Sequence, residues 1–339
     1  MRTKEFLPPV SIVVPALNAE ETIETLLESL LKVDYDRYKV DVVVVDGNSK
    51  DSTREIAAKY PVRLLVEEKE GLNAARNTGV KNSGNEIVVF TDADCVVPSD
   101  WIQKIVKNFN DPRVGCVGGN VKGFDGGFFS QYADYSVMPV LRSFKRRETL
   151  DMIKLIARYP AGCNMALRRS AIEEVGGFDE GIRYSFDEDE LVERACRAGY
   201  RMVLDPSVLV LHKHRSTLKG LLEQTFRYGR GSGFLLKRKR AKDALSTWFL
   251  LNLLGFIAWL SIIWSLTFLT VTTTSATSFL LLFGILFAPL LALMAFYAYK
   301  ALENKRYERI ITYPFIDMLR MLTFCVAELY QFIKPEKKA

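Results

Sequence analysis

No two cysteines in this 339-residue chain stand at a metal-binding or redox spacing. Cys95, Cys116, Cys163, Cys196 and Cys325 are scattered, without CxxC or CxxxH, which excludes a structural zinc module. That scatter argues for reduced, mostly buried thiols rather than a disulfide framework. Histidine is scarce too: His212 and His214 are the only two. The net charge is a modest +6, with much of the basic excess beside apolar sequence, so anionic headgroups and not nucleic acid are the expected partner. The opening "FLPPVSIVVPAL" is too short and too broken by proline to read as a secretory signal. Charge itself is missing from one long stretch. Between Asp243 and Lys300 there is not one charged side chain, whereas the sequence before Asp243 is charge-rich throughout.

That shift predicts two domains, residues 1–240 and 241–339. In the second, apolar runs over about 246–271 and 279–299 each reach the roughly 20 residues that cross a bilayer. Pro289 falls inside the second run, where lipid-embedded helices tolerate it. "KRKRAK" (237–242) precedes the first run and "KALENKRYER" follows the second, while the turn "TTTSATS" is uncharged. The positive-inside rule then puts both flanks, and the N-terminal domain, on the cytoplasmic side of a cell membrane. A third apolar stretch, about 310–333, carries Asp317, Arg320 and Glu328, and spanning and interfacial placements both stay open.

The N-terminal part alternates continuously apolar runs with helix-period segments. "VSIVVPA", "KVDVVVVD", "VRLLVE" and "EIVVF" read as strands, joined by the helices "AEETIETLLESLLK", "DSTREIAAKY" and "GLNAARNTGVKNSG". Ile23, Leu26, Leu27, Leu30 and Leu31 share one face of the first helix. Such a pattern predicts an α/β fold, a mostly parallel sheet with helices on both faces, whose ligands bind beyond the carboxyl ends of the strands. The strands end in "PALNAEE", "DGNSKDST" and "TDADC", so three acid-bearing loops gather on one rim. Asp92 and Asp94 follow a buried strand directly. Two carboxylates there need a positive partner, whether a helix N-terminus, an arginine such as Arg76, or a metal ion. At the other end of the domain, Asp187-x-x-Glu190 reads as a capping box opening a helix that Gly199 closes.

"VSIVVPALNAEETI", "VVVVDGNSKDST", "GLNAARNTGVKNSGNEIVVFTDADC" and "GCNMALRRSAIEEVGGFDE" together resemble the inverting family 2 glycosyltransferases of GT-A fold, from about Val10 to Arg230. The resemblance implies that Asp46 and the loop Pro15, Ala16, Leu17 and Asn18 hold the nucleotide. Glu20 stands in for an acid that the family often has one position earlier, where this chain has Ala19. Asp92, Ala93 and Asp94 would meet the ribose and a metal-bound diphosphate, with Arg76 a second neutraliser. Of the acidic run Asp187, Glu188 and Asp189, Glu188 falls at the position of the family's base, its two neighbours remaining competitors. A histidine at the end of the later strand, His212 or His214, would complete the metal shell. "QTFRYGRGSG" resembles the QxxRW element of cellulose-synthase-like enzymes, with Gln224 and Arg227 toward the donor and Tyr228, with Gly162, toward the acceptor.

The expected activity is metal-assisted direct displacement of a sugar, mannose or glucose being candidates, from a GDP- or UDP-sugar. The expected acceptor is lipid-linked, a polyprenyl or dolichyl phosphate or an oligosaccharide built on one. The expected cofactor is a divalent cation, Mn2+ or Mg2+. A processive polysaccharide synthase is the rival among enzymes, and an inactive nucleotide-sugar-binding membrane scaffold the rival of another class.

Overall fold

The computed structural model of the protein describes residues 7–67, 69–137, 143–152, 159–239, 242–304, 307 and 309–335. Its β-branched runs form strands where the alternation places them: β1 (Val10–Ala16), β2 (Val40–Asp46), β3 (Arg63–Val66) and β4 (Ile87–Phe90). Between them lie α1 (Ile23–Leu31), α2 (Thr53–Ala57) and α3 (Leu72–Lys81). Ile23, Leu26, Leu27 and Leu30 bury one face of α1, but Leu31 lies outside that face and stays 47% exposed.

After β4 the chain adds β5 (Cys95–Val96), α4 (Trp101–Val106), β6 (Val114–Gly123), α5 (Phe128–Tyr135), β7 (Glu148–Leu150) and β8 (Met165–Arg168). Then come α6 (Arg169–Glu174), α7 (Asp187–Arg197) and β9 (Arg201–His212). The sheet order is β3-β2-β1-β4-β8-β6-β9-β5, with β7 against β9. β1 to β4 pair in parallel, as their unbroken apolar character requires. Beyond β4 the sheet is mixed, since β8 runs antiparallel to both β4 and β6 while β6 and β9 are parallel. The core lies on the faces of β1 and β4, where Ile12, Val14 and Val89 meet Trp101 and Ile102.

Register decides where the loops emerge. Ala16 lies beside Asp46 and Asp46 beside Val66, so β1, β2 and β3 end level on one rim. β9 slips register against β6 between Gly119 and Asn120, whose partners are Asp205 and Leu209. Pro206, with no N–H to give a ladder, falls in the slipped segment, and the Asp205 carboxylate accepts from the Ser207 N–H at 2.9 Å. That bulge re-aims the last turn of β9 toward β5, where His212 pairs with Cys95.

The chain divides into two compact units: Met1–Asp134 with Val140–His214, and Tyr135–Pro139 with Arg215–Ala339. The division after His214 reflects α8 (Leu218–Lys239), which packs with the helices that follow it. Those are α9 (Ala244–Thr273), α10 (Ala276–Asn304) and α11 (Arg309–Ile333), each long and apolar enough to cross a membrane. The two expected spans lie inside α9 and α10. Of the basic flanks, Arg240, Ala241, Lys305, Arg306, Glu308 and the tail beyond residue 335 lie outside the described residues.

Candidate active site

The first two strand ends are laced together by their loops. The Ser49 hydroxyl accepts from the Asn18 N–H at 2.9 Å, and Asn18 Oδ1 accepts from the Lys50 N–H at 2.9 Å. Thr53 Oγ1 accepts from the Ala19 N–H at 2.7 Å, and Glu20 Oε2 from the Ser52 N–H at 3.0 Å. Asn18 and Asn48 turn through left-handed backbone to make this possible, at φ 49° and 68°. Leu17, by contrast, is left 60% exposed at the lip of the lattice. Glu20 thus ties the loop through one carboxylate oxygen, and its side chain is exposed.

Asp46 sits fully buried beneath this lattice. Its Oδ2 accepts from the Ser49 N–H at 3.0 Å and lies 3.6 Å from Arg54 Nε, while its Oδ1 is buried with no hydrogen-bond partner among the described residues. An unsatisfied carboxylate oxygen is costly, and a ligand donor such as a nucleoside N–H would satisfy it.

At the end of β4 the acids divide their partners. Arg76, buried on α3, forms an ion pair through Nη1 with Asp187 Oδ2, and its Nη2 lies 3.8 Å from Asp92 Oδ1. The guanidinium also stands 5.3 Å over the Phe178 ring. Gly162 makes the space for it, because a Cβ there would come within 2.4 Å of Nη2. Burial works to discharge Arg76, but the negative charges of Asp187, Asp92 and Glu188 outweigh it and hold it ionised. Asp94 turns the other way. Its Oδ1 lies 3.3 Å from His212 Nε2, and its carbonyl accepts from the Lys213 N–H at 2.9 Å. His214, 5.0 Å from His212 between ring centroids, instead faces Asp134 at 3.3 Å.

Asp187 is therefore not the cap of a capping box. Phe186, at φ 64°, precedes α7, and Asp187 is its first helical residue, drawn to Arg76 across 111 positions. Glu190 is held by Arg194 at 2.7 Å. Gly199, at φ 98°, does close the helix. Asp189 is 1% exposed, which leaves Glu188, half-buried, as the acid of the run that still meets solvent. Desolvation pushes its carboxyl up to about 8, with Asp187 adding to the rise and Arg76 opposing it. Desolvation also lifts Asp92 to about 6, against the pull of Arg76 and with the push of Asp94 and Asp187.

Asp94, Cys95 and His212 offer ligand atoms all within 4.8 Å of one another. A carboxylate with an imidazole, beside a second carboxylate, suits a divalent cation that keeps water and phosphate in its other positions. Asp94 Oδ1 is shielded from water and, among the described residues, has His212 Nε2 at 3.3 Å beside it but no well-formed hydrogen bond, so a cation could be held there. The residues fit the group. Sequence reasoning missed Asp134 and Arg54, which stand in "FFSQYADY" and "DSTREIAAKY", segments with no chemical signature of their own. Gln224, Arg227 and Tyr228 lie on α8 in the second unit, where Gln224 Nε2 is 3.3 Å from the Tyr228 hydroxyl.

Residues 11–176 match the family model "Glycosyl transferase family 2". Glycosyltransferase AglE of Haloferax volcanii is 30% identical over 261 residues, covering 73% of this chain and 82% of that protein. The pre-mycofactocin glycosyltransferase of Mycobacterium tuberculosis is 28% identical, over 69% of this chain and 49% of its own length. Among solved structures, the mannosyltransferase PcManGT of Pyrobaculum calidifontis, in complex with GDP-Man and Mn2+, superposes with a TM-score of 0.66 at 23% identity, covering 96% of this chain and 88% of that one.

Proposed function

The chain belongs to glycosyl transferase family 2, and from that premise we propose that it moves a sugar from a nucleotide-diphosphate donor to a lipid-linked saccharide at the cytoplasmic face of a membrane, with inversion. The observation that carries the reading is the division of labour at the rim: Asp94 beside His212, Asp92 beside Arg76, and Glu188 across from them on α7.

Asp94 and His212 would hold the divalent cation, with Asp92 as a further carboxylate donor. When bound, the cation supplies the positive charge that stabilises a departing diphosphate. One imidazole nitrogen among the ligands favours Mn2+ over Mg2+, which takes oxygen almost alone. Asp46 accepts from the nucleoside, and Leu17 and the laced loops 15–18 and 47–53 flank it. Arg76 does not reach for phosphate. It fixes Asp187 and Asp92, and through Asp187 the start of α7. Glu188 then takes the acceptor proton as the new bond forms, a task for a carboxylate whose affinity for protons has been raised by burial. A poised base favours a sugar hydroxyl as nucleophile over a bare polyprenyl phosphate, whose oxygen is already ionised.

PcManGT binds GDP-Man and Mn2+ on this fold, so GDP-mannose with Mn2+ is the first donor to try. The membrane-compatible helices and the basic residues flanking them support a lipid acceptor reached from the cytoplasm. Membranes carrying the protein are incubated with labelled GDP- and UDP-sugars and either a polyprenyl-diphosphate-linked saccharide or polyprenyl phosphate. A glycolipid formed from the saccharide, absent in Asp94→Ala and Glu188→Gln, is expected. Transfer to polyprenyl phosphate that survives Glu188→Gln would shift the acceptor to the phosphate, and hydrolysis without transfer would reject the reading.

A further inference from the structure

Glu188 rides on α7, a helix outside the sheet whose rim ends in Asp92 and Asp94. A reacting group misplaced by about 1 Å can slow a reaction about a hundredfold, so α7 has to be held in register with that rim. The ion pair of Arg76 with Asp187 is one link. A second runs through the loop 175–182 that precedes α7.

The fixed element of this second link is α3. Gly79 lies close against β1, where a Cβ would come within 2.3 Å of Val13 Cγ1. β1 in turn pairs with both β2 and β4, so α3 is seated on the strands that end at the rim. Asn73, Arg76 and Asn77 stand at i, i+3 and i+4 and share one face of the helix. Arg76 takes the Asp187 side chain, and the two asparagines take the backbone of the loop. Asn73 Nδ2 donates to the Asp179 carbonyl at 2.9 Å and to the Ile182 carbonyl at 3.0 Å. Asn77 grips Phe178 twice. Its Oδ1 accepts from the Phe178 N–H at 2.9 Å, and its Nδ2 donates to the Phe178 carbonyl at 2.9 Å. Nδ2 also donates to Glu180 Oε1 at 3.1 Å. Gly177, at φ 75°, leaves room for this grip, since a Cβ there would stand 2.9 Å from Asn77 Oδ1.

α7 holds the same loop from its own side. Arg194 Nη2 donates to the Gly177 carbonyl at 2.8 Å, and its Nη1 to that of Val175. Glu190, one turn earlier, accepts from Arg194 Nη2 at 2.7 Å and keeps the guanidinium in place. Of two consecutive residues, then, Gly177 is tied to α7 and Phe178 to α3. The Phe178 ring strengthens the link. It lies 5.3 Å beneath the Arg76 guanidinium and meets the ring of Phe90, the last residue of β4, edge-on at the same distance. A loop residue whose N–H and carbonyl are both taken by one side-chain amide is fixed much as a strand partner would fix it.

We propose that Asn77 is a positioning residue for sugar transfer: by gripping Phe178 it ties α7 to α3 and so sets Glu188 against the donor rim. The inference rests on the reading of Glu188 as the base. Asn77 acts through the loop, so its loss should spare donor and ion binding. Asn77→Asp keeps the shape and still accepts from the Phe178 N–H, but it turns an oxygen toward the Phe178 carbonyl and Glu180. In the full-length protein, Asn77→Asp and Asn77→Ala are each expected to lower kcat at least about tenfold, with KM for the labelled nucleotide-sugar and Mn2+ uptake changed by less than about twofold. Amide hydrogen exchange read by mass spectrometry should quicken over residues 183–190 while β1 and β4 keep their protection. Unchanged kcat overturns the proposal, as does unchanged exchange at the start of α7. A loss of ion uptake that matches the loss of turnover overturns it too, because that marks general damage to the unit. If the unsubstituted protein transfers no sugar from any donor, the enzymatic reading fails by itself, and exchange still decides whether Asn77 holds α7.

Discussion

Arg76 is the side chain that organises the rim. It is buried, neighbouring acids hold it ionised, and its two terminal nitrogens face Asp187 and Asp92 respectively. Removing one member of a buried pair leaves the other charge stranded, at about 3–5 kcal/mol. Arg76→Met and Asp187→Asn are each expected to destabilise the first unit by that order, and the double variant by clearly less than their sum. Additive effects in denaturant unfolding would show that the pair is not coupled. Glu188 makes a prediction in pH. Its carboxyl is lifted from an ordinary 4.5 to about 8, and only the ionised form accepts a proton. Transfer should therefore fall as pH drops through about 8, rather than near the usual carboxylate range, with Glu188→Gln nearly inactive at every pH. The same shift has a stability sign: the folded state holds the proton more tightly than the unfolded one. Its contribution is complete below about 4.5 and lost as pH rises through about 8, so Glu188→Gln should raise the melting temperature more in alkaline than in acidic buffer. Asp92 and Asp94 were legible in the sequence because two acids directly after a buried strand demand a counter-charge. The partner of each was not, since Arg76 and Asp187 meet across 111 residues and spacing says nothing at that range.

Among the elements, β1, β2 and β4 were legible almost to the residue, because strands covered on both faces admit little but β-branched and apolar side chains. β6 and β9 were harder to read. "VGCVGGNVKG" is rich in glycine, and "RMVLDPSVLVLH" is broken by a proline that the structure absorbs in a bulge. Gly119 explains its own presence: a Cβ there would lie 2.2 Å from the Val208 carbonyl. The capping box misled for a related reason, since the Asp187 side chain answers a distant arginine instead of its own helix. In α8, glycines at 229, 231 and 233 cost helix propensity of about 1 kcal/mol each. Two of them are kept by contact. A Cβ at Gly229 would stand 2.3 Å from the Phe324 carbonyl and one at Gly233 equally close to that of Glu328. Backbone cannot yield as a side chain can, so Gly229→Val is expected to part α8 from α11 and lose about 3 kcal/mol. A melting temperature in detergent equal to that of the unchanged protein would contradict the close approach.

On the scale of the whole molecule, the chain comprises a sheet-based catalytic unit and a helical unit whose long helices α9 and α10 carry no charge from Ala244 to Tyr299. Three helices long and apolar enough to cross a membrane, among the described residues, suit an anchor better than the wall of a channel for a growing polymer. The expected product therefore carries one added sugar however long the incubation, and a ladder of lengths in mass spectra would return the polymer synthase as the better reading. The composition shift after Asp243 announced the helical unit. Packing groups α8 with that unit from Arg215 on, which composition does not announce because α8 keeps a polar face and resembles part of the preceding domain. Beneath all of this lies the claim that Asp94 and His212 hold a divalent cation together with the donor diphosphate. Mn2+ electron paramagnetic resonance reads that directly, by the loss of the free-ion signal when the full-length protein is added to Mn2+ and GDP. The account predicts uptake of about one ion per chain, weakened at least about tenfold in Asp94→Asn and in His212→Ala but little changed in His214→Ala. Uptake equal in all four proteins would contradict it.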